Sequence, residues 1–465
     1  MVKRVFSILL AAVFILVMVS ACASSPAKPA TTEGNVEQTK EAQPSDSKDS
    51  GGTETVTFIS TNDPNYVYIK DVVAAFQKEN PSIKINLIEV PFDQFDSKIQ
   101  TMLASKTPLD TATHFGWTGF GSRLANDQLM DLAPLLEKYS FDPAAEGIPQ
   151  SMMDIWKANG KVYGIPINAY PSIMLYNKDM FDEAGLPYPP ANYDDPNWTW
   201  DKMVEYAQKL TKNSDDPVNA QYGLTWNWDS GGREQLPQYF GHTTFDEATF
   251  TKNMGLASES YFDKPEVVAD YQKVLDLIFK FKVNPTVAMT EAMGGNAFFA
   301  GKVAMTVEGA WIMAPTNDAT FKVGIAAIPK GGGVRDVLWI NPFWIFKDSK
   351  AADATFKLLM YMAKTDAQKL MSKGMPPANL NALEAFASNY KNLNPKDIIS
   401  VYEGAFKDGF EGMSHLMPDA GALNTLLTNE MGAMFNEGKP ASEVLPTVQE
   451  KVKQYIADTK SKYGR

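Results

Sequence analysis

Cysteine is almost absent from this 465-residue chain. Cys22 stands alone, so an internal disulfide and a cysteine-cluster metal site are both excluded. Histidine is nearly as scarce. His114, His242 and His415 are the three, and no HExxH pair joins them, which removes the usual histidine-based metal centre. Positive charge is outweighed, with 43 Lys and Arg against 55 Asp and Glu and a formal net charge of −12. Without clustered Lys and Arg, a phosphate backbone has nothing to bind, so nucleic acid is excluded as a partner. GxSxG, Walker A and Cys–His motifs are also missing. No cofactor is expected.

What remains is ordinary globular material, 44% apolar and 21% charged. At about 100–200 residues per domain, the length suggests two sizeable domains. The first residues differ from the rest. Lys3 and Arg4 form a basic start, Val5 to Val19 is almost unbroken apolar chain, and Ser20-Ala21 precede Cys22. That apolar stretch is short for a membrane span, which needs roughly 17–25 residues. A secretory signal over 1–21 explains the pattern. Val19-Ser20-Ala21-Cys22 resembles a bacterial lipobox, with Val where Leu is commoner. The resemblance implies a diacylated Cys22 at the mature N-terminus, and two acyl chains give stable anchoring. Residues 23–52 hold almost nothing to bury and read as a disordered tether spanning roughly 30 Å.

Structure is expected from Thr55. Thr55 to Ser60 reads as a strand, Asn62-Asp63-Pro64 opens a helix with Val72, Val73 and Phe76 inside, and Ile83, Ile85 and Leu87 alternate as a second strand. Alternating strands and helices point to an α/β protein with mixed, mostly parallel sheets. Further on, Pro265 to Phe281 reads as an amphipathic helix. Ser442 reads as the cap of a last helix with Val444, Leu445, Val448 and Val452 on one face. Gly331-Gly332-Gly333 leads into strand residues, so it is a turn and no phosphate cradle. Asp194 and Asp195 lack regular spacing, and a surface turn suits them better than Ca²⁺.

The most informative stretch is Ala297 to Trp311. Phe298 and Phe299 close an amphipathic run, and Gly301 is suited to a left-handed helix stop. Val303, Met305 and Val307 alternate as a strand. Gly309 then turns the chain, and Trp311 is delivered just past the strand end, where ligands of α/β proteins sit.

This pattern resembles the family 1 extracellular solute-binding proteins of ABC importers, sugar-binding relatives of maltose-binding protein. Gly160 to Pro166 and Met174 to Lys178 resemble the same family's first crossing between lobes and the strand that follows. The resemblance runs over nearly all of residues 53–465. It implies a two-lobed, type II periplasmic-binding-protein-like fold hinged at three crossings, each lobe a mixed sheet flanked by helices. Lobe 1 is expected over 53–163 plus 309–345, and lobe 2 over 164–308 plus 346–465. The implied ligand is a carbohydrate, an oligosaccharide in particular, handed to ABC permease subunits. The chain would be a monomer, held to the membrane by the lipid alone, on the extracellular face of a Gram-positive bacterium.

A sugar needs flat apolar platforms and fixed hydrogen-bonding groups. Trp311 is the first choice as a platform, because Gly309 turns the chain just before it and the family places its aromatic there. Trp117, which follows His114-Phe115-Gly116, Trp226 and Trp228, which alternate around Asn227, and Trp339 are further candidates. Each of these is otherwise core, and Trp344 reads as core outright. Glu308, Asn168, Tyr170, Asn341, His114, Arg233 and Asp419 are the polar candidates, the bland alternative for each being a hinge or surface hydrogen bond. A secreted glycosidase or lyase is the enzymatic alternative, since carboxylate pairs cannot be discounted among 55 acids. A structural cell-wall lipoprotein would leave the crossings and loop tryptophans unexplained.

Overall fold

The computed structural model describes residues 53–464 apart from 67, 215, 217–218, 227–231, 252–254, 295 and 334–335. The signal, Cys22 and the tether lie outside the described residues, as does Trp228. No described helix is long and apolar enough to cross a membrane.

Eleven strands are described: β1 (Glu54–Thr61), β2 (Ile83–Val90), β3 (Thr111–Ala112), β4 (Lys157–Ala158), β5 (Lys161–Val162), β6 (Ile165–Asn177), β7 (Tyr222–Trp226), β8 (Val303–Gly309), β9 (Val323–Ala326), β10 (Asp336–Ile345) and β11 (Gly409–Glu411). Nine share one sheet, seven of them on a path ordered β2-β1-β3-β10-β6-β8-β7, with β11 on β10 and β9 on β6. β1 pairs in parallel with β2 and β3, and six of its eight residues are buried. A strand covered on both faces needs such a run. The helix expected after Pro64 starts later, at Ile69, behind a 3₁₀ turn over Pro64–Tyr66, and buries Val72, Val73 and Phe76 as expected.

The 13-residue β6 organises the rest. Its first half pairs with β10, Ile165 opposite Phe343 and Leu338 opposite Pro171. Its second half leaves β10 and pairs on either side with β8 and β9. A third segment lies beside the first half, with Ala169 N–H donating to Pro376 and Ala378 N–H to Ile167. Three lengths of chain thus run side by side between two bodies. One body has a core of Val56, Phe58, Val72, Phe343, Leu358 and Leu359. The other surrounds Met174, Leu224, Met305 and Ile325 and takes in the C-terminal helix Ala441–Tyr463. The fold is mixed α/β and two-lobed.

Several local expectations are corrected. Residues 310–326 stay against the second half of β6 and do not return to the first body; β10 makes that return. Residues 351–375 belong to the first core, because the helix Ala352–Ala363 packs on β1. Ala297 to Ala300 form turns and no helix end, although Gly301 does adopt a left-handed φ of 69°. The last helix begins at Ala441, so Ser442 lies inside it and does not cap it.

Candidate functional site

Antiparallel pairing sets Asn168 of β6 opposite Asn341 of β10, and Tyr170 opposite Trp339. Directly opposed residues share a face, so these four side chains form one patch on the crossing strands. Asn341 Nδ2 donates to Asn168 Oδ1 at 2.9 Å and to the Tyr66 hydroxyl oxygen at 3.2 Å. Asn168 Nδ2 is turned toward Met375 Sδ at 3.2 Å, which ties in the third crossing segment.

Trp311 joins the patch from the 3₁₀ segment Ala310–Asp318 that follows β8. Its ring lies 4.7 Å from that of Trp339 at 67° and 6.2 Å from that of Tyr170 at 52°. Its indole N–H donates to Glu308 Oε1 at 3.0 Å. Gly309 makes this possible, because a Cβ there would sit 2.2 Å from ring atoms of Trp311.

An aromatic wall from residues 92–117 adjoins the patch through Tyr66. The His114 ring stacks on Phe95 at 4.0 Å and neighbours Phe92 and Tyr66 at 5.1 and 6.2 Å. Phe92 meets Trp117 edge-on at 5.6 Å. Trp117 is 53% exposed and Phe92 42%, an uncovered aromatic pair at the rim. The Gly116 N–H donates to His114 Nδ1 at 2.9 Å. Burial first, then the nearby charges of Arg123 and His415, pushes the His114 pKa down to about 3. Burial likewise raises the Tyr66 and Tyr170 hydroxyls, so both stay protonated.

Arg123 and Asp96 hold this wall in place. Arg123 is fully buried, donates Nε–H to the Phe115 carbonyl at 2.8 Å, and pairs with Asp96 at 2.8 Å. Asp96 also accepts the Thr118 N–H at 3.0 Å. Residues 114–118 are thereby fixed from both sides.

A cavity of about 260 Å³ adjoins the patch at Glu308, lined also by Thr225, Trp226, Arg233, Thr306 and Phe435. Trp226 is wedged against Trp200 and Tyr239, ring centres 5.7 and 5.2 Å away. Arg233 is buried, donates to the Thr428 carbonyl at 3.3 Å and lies 4.5 Å over the Phe435 ring.

Eight of the twelve residues singled out from the sequence therefore form one connected set: Trp117, His114, Asn168, Tyr170, Glu308, Trp311, Trp339 and Asn341. Trp226 and Arg233 reach it through the cavity. Asp419 does not. Its carboxylate takes Lys462 Nζ at 2.9 Å and the Tyr463 hydroxyl at 2.8 Å, so it anchors the C-terminal helix. Trp344 is core, donating to the His114 carbonyl at 3.1 Å. Asp195 accepts the Asn197 N–H at 2.8 Å, a turn contact. Among the described residues no group of acids, His and Cys could hold a metal ion. Tyr66, Phe92, Asp96 and Arg123 were not singled out. Phe92, Asp96 and Arg123 are helix residues with no distinguishing local motif, and Tyr66 follows Pro64 in what reads as an ordinary helix start.

A two-lobed fold with an aromatic and amide-lined seam on its crossing strands defines a ligand-capture protein. The model of the bacterial extracellular solute-binding proteins matches residues 60–369, and the chain belongs to that family. A putative binding protein of Brucella abortus is 26% identical over 321 residues, 67% of this chain and 72% of that one. The arabinooligosaccharide-binding protein of Bacillus subtilis is 26% identical over 219 residues, 46% of this chain and 43% of that one. Among solved structures, an ABC substrate-binding protein of Listeria monocytogenes in complex with cycloalternan superposes with a TM-score of 0.71 at 22% identity, covering 87% of this chain and 99% of that one. Maltose-bound MalE3 of T. maritima gives a TM-score of 0.66 at 20% identity, covering 86% of this chain and 99% of that one. The family is one of solute-binding proteins, and this member is a binding protein and not an enzyme.

Proposed function

We propose that the protein is a membrane-tethered receptor that captures a carbohydrate, an oligosaccharide in particular, and delivers it to an ABC permease. The observation that carries this reading is the seam of Trp311, Trp339 and Tyr170 beside Glu308, Asn168 and Asn341. Flat rings accept the C–H face of a sugar, and the carboxylate and amides accept and donate to its hydroxyls. Names of relatives and neighbours agree, since they include binders of arabinooligosaccharide, cycloalternan and maltose. Mannitol appears as well, in a binding protein of Pseudomonas aeruginosa 25% identical over 202 residues.

The working division is a first lobe of residues 53–163 and 342–375 and a second of 172–336 and 378–464. The three crossing segments between them serve as the hinge. Closure about such a hinge is a common capture motion. The polar 23–52 segment is the tether and Cys22 the acylated anchor. A thermal-shift screen against oligosaccharides tests the ligand class, since a ligand at 100 times its Kd adds about 2.7 kcal/mol of stability. Cys22→Ser tests the anchor: the protein should leave the membrane fraction for the medium with sugar binding intact. Retention at the membrane after signal cleavage would rule the lipid anchor out.

A further inference from the structure

His114 is buried, yet its Nε2 has no hydrogen-bond partner among the described residues. The Tyr170 hydroxyl, also buried, is in the same position. Buried polar groups are normally paired, and an unpaired one costs stability that folding has no reason to spend. Tyr170 lies on the crossing-strand seam, and His114 lies on the aromatic wall joined to it through Tyr66. An unpaired group in a binding seam is explained when the partner arrives with the ligand.

The local backbone decides which way His114 acts. Gly116 has a left-handed φ of 70°, and a Cβ there would lie 2.2 Å from the Asp96 carboxylate. Only glycine lets this turn form. The turn aims the Gly116 N–H at His114 Nδ1, which must therefore be the acceptor. A neutral imidazole whose Nδ1 accepts carries its proton on Nε2. Burial is the main reason the ring stays neutral, and the charges of Arg123, itself paired with Asp96, and of His415, bonded to Glu411, act in the same direction. Tyr66 and the two phenylalanines around the ring carry no charge.

We infer that His114 is a fixed neutral donor whose Nε2–H hydrogen-bonds an acceptor oxygen of the captured ligand, so that the site selects a compound presenting an acceptor oxygen, such as a sugar hydroxyl, at this position. Tyr170 supplies a second donor of the same kind. This rests on the carbohydrate reading above and narrows it. A ligand presenting an ammonium or a methyl group to His114 would leave the donor unpaired, and buried polar sites reject such analogues strongly.

The test uses the tightest binder among maltotriose, an arabinan trisaccharide, cycloalternan and mannitol. His114→Phe keeps the stacked ring and deletes the donor. Its affinity should fall about 3- to 10-fold, the scale of one net hydrogen bond. The ligand-free melting temperature should change little, because removing the unpaired Nε2–H offsets the loss of the Nδ1 acceptor for the Gly116 N–H. A fall in melting temperature with unchanged affinity would make His114 a packing residue and overturn the inference. Long-range ¹H–¹⁵N spectra of the wild type provide an independent measurement, with three histidines to assign. His114 should show the Nε2–H form throughout pH 5 to 8, and titration near 6.5 or an Nδ1–H form would also overturn it. Binding of none of the four sugars would instead defeat the carbohydrate reading, and this inference with it.

Discussion

Trp311 donates its indole N–H to Glu308 at 3.0 Å across a single turn, with Gly309 between them in the chain. The bond holds the indole plane against Trp339, 4.7 Å away, where free rotation of the side chain would otherwise let it swing. One carboxylate oxygen of Glu308 is thereby occupied, while Glu308 also lines the adjoining cavity. On the proposed reading, Trp311 is the platform and Glu308 its brace.

Gly309→Ala follows from that geometry. A Cβ would meet the indole ring at 2.2 Å, so the ring must leave its place. The ring is the mobile partner, and the stability cost should stay near the low end of about 1–3 kcal/mol for overpacking. Sugar affinity should suffer more than stability. Comparing melting temperature with the Kd of the same variant checks this; a large loss of stability with normal affinity would speak against it.

His415 gives a signed pH dependence. Burial disfavours its charged form, but the hydrogen bond and charge of Glu411 outweigh this and raise its pKa above the ordinary 6.5. Burial raises the Glu411 carboxyl too, so folding takes up protons at this pair. The stabilising contribution of His415 is fully present below pH 6.5 and is lost as pH rises through the folded pKa. Melting temperature should therefore decline across that window, and His415→Gln should flatten the slope. An unchanged slope in the variant would assign the effect elsewhere.

Asp419→Ala should leave sugar affinity unaltered. The carboxylate holds Lys462 and Tyr463 of the last helix and faces away from the seam. Lys462 is 58% exposed, so the ion pair is worth no more than about 1 kcal/mol. The lost tyrosine bond adds about another 0.5–1.5 kcal/mol. A tenfold loss of affinity in calorimetry would return Asp419 to the site.

How much of this was legible depends on range. Gly309 and Trp311 are close in the chain, and the turn chemistry that joins them is local, so the chain alone pointed to Trp311 as a candidate. The strand at 54–61 and the helix at 265–279 were readable for the same reason, a clear period over a short window. The lobe division was not. Residues 310–326 and 351–375 are assigned by which strand they pack on, and β6 lies more than a hundred residues away in sequence from either. The partners of Asp419 are 43 and 44 residues downstream, beyond any local reading of the chain. Arg123 and Asp96 carry no local signal, and only the fold brings them together at 2.8 Å beside residues 114–118.

Calorimetric titration of wild type and Trp311→Ala with the best-binding oligosaccharide, with the sugar recovered and sized afterwards, tests the central claim most directly. The wild type should bind one sugar per chain and return it intact. Trp311→Ala should weaken binding by about 5- to 150-fold, the roughly 1–3 kcal/mol of a large apolar contact, with its ligand-free melting temperature nearly unchanged. A variant that loses about 3–5 kcal/mol of folding stability but keeps its affinity would make Trp311 core. Shortened sugar from homogeneous protein, or no heat from any oligosaccharide, would contradict capture of a carbohydrate outright.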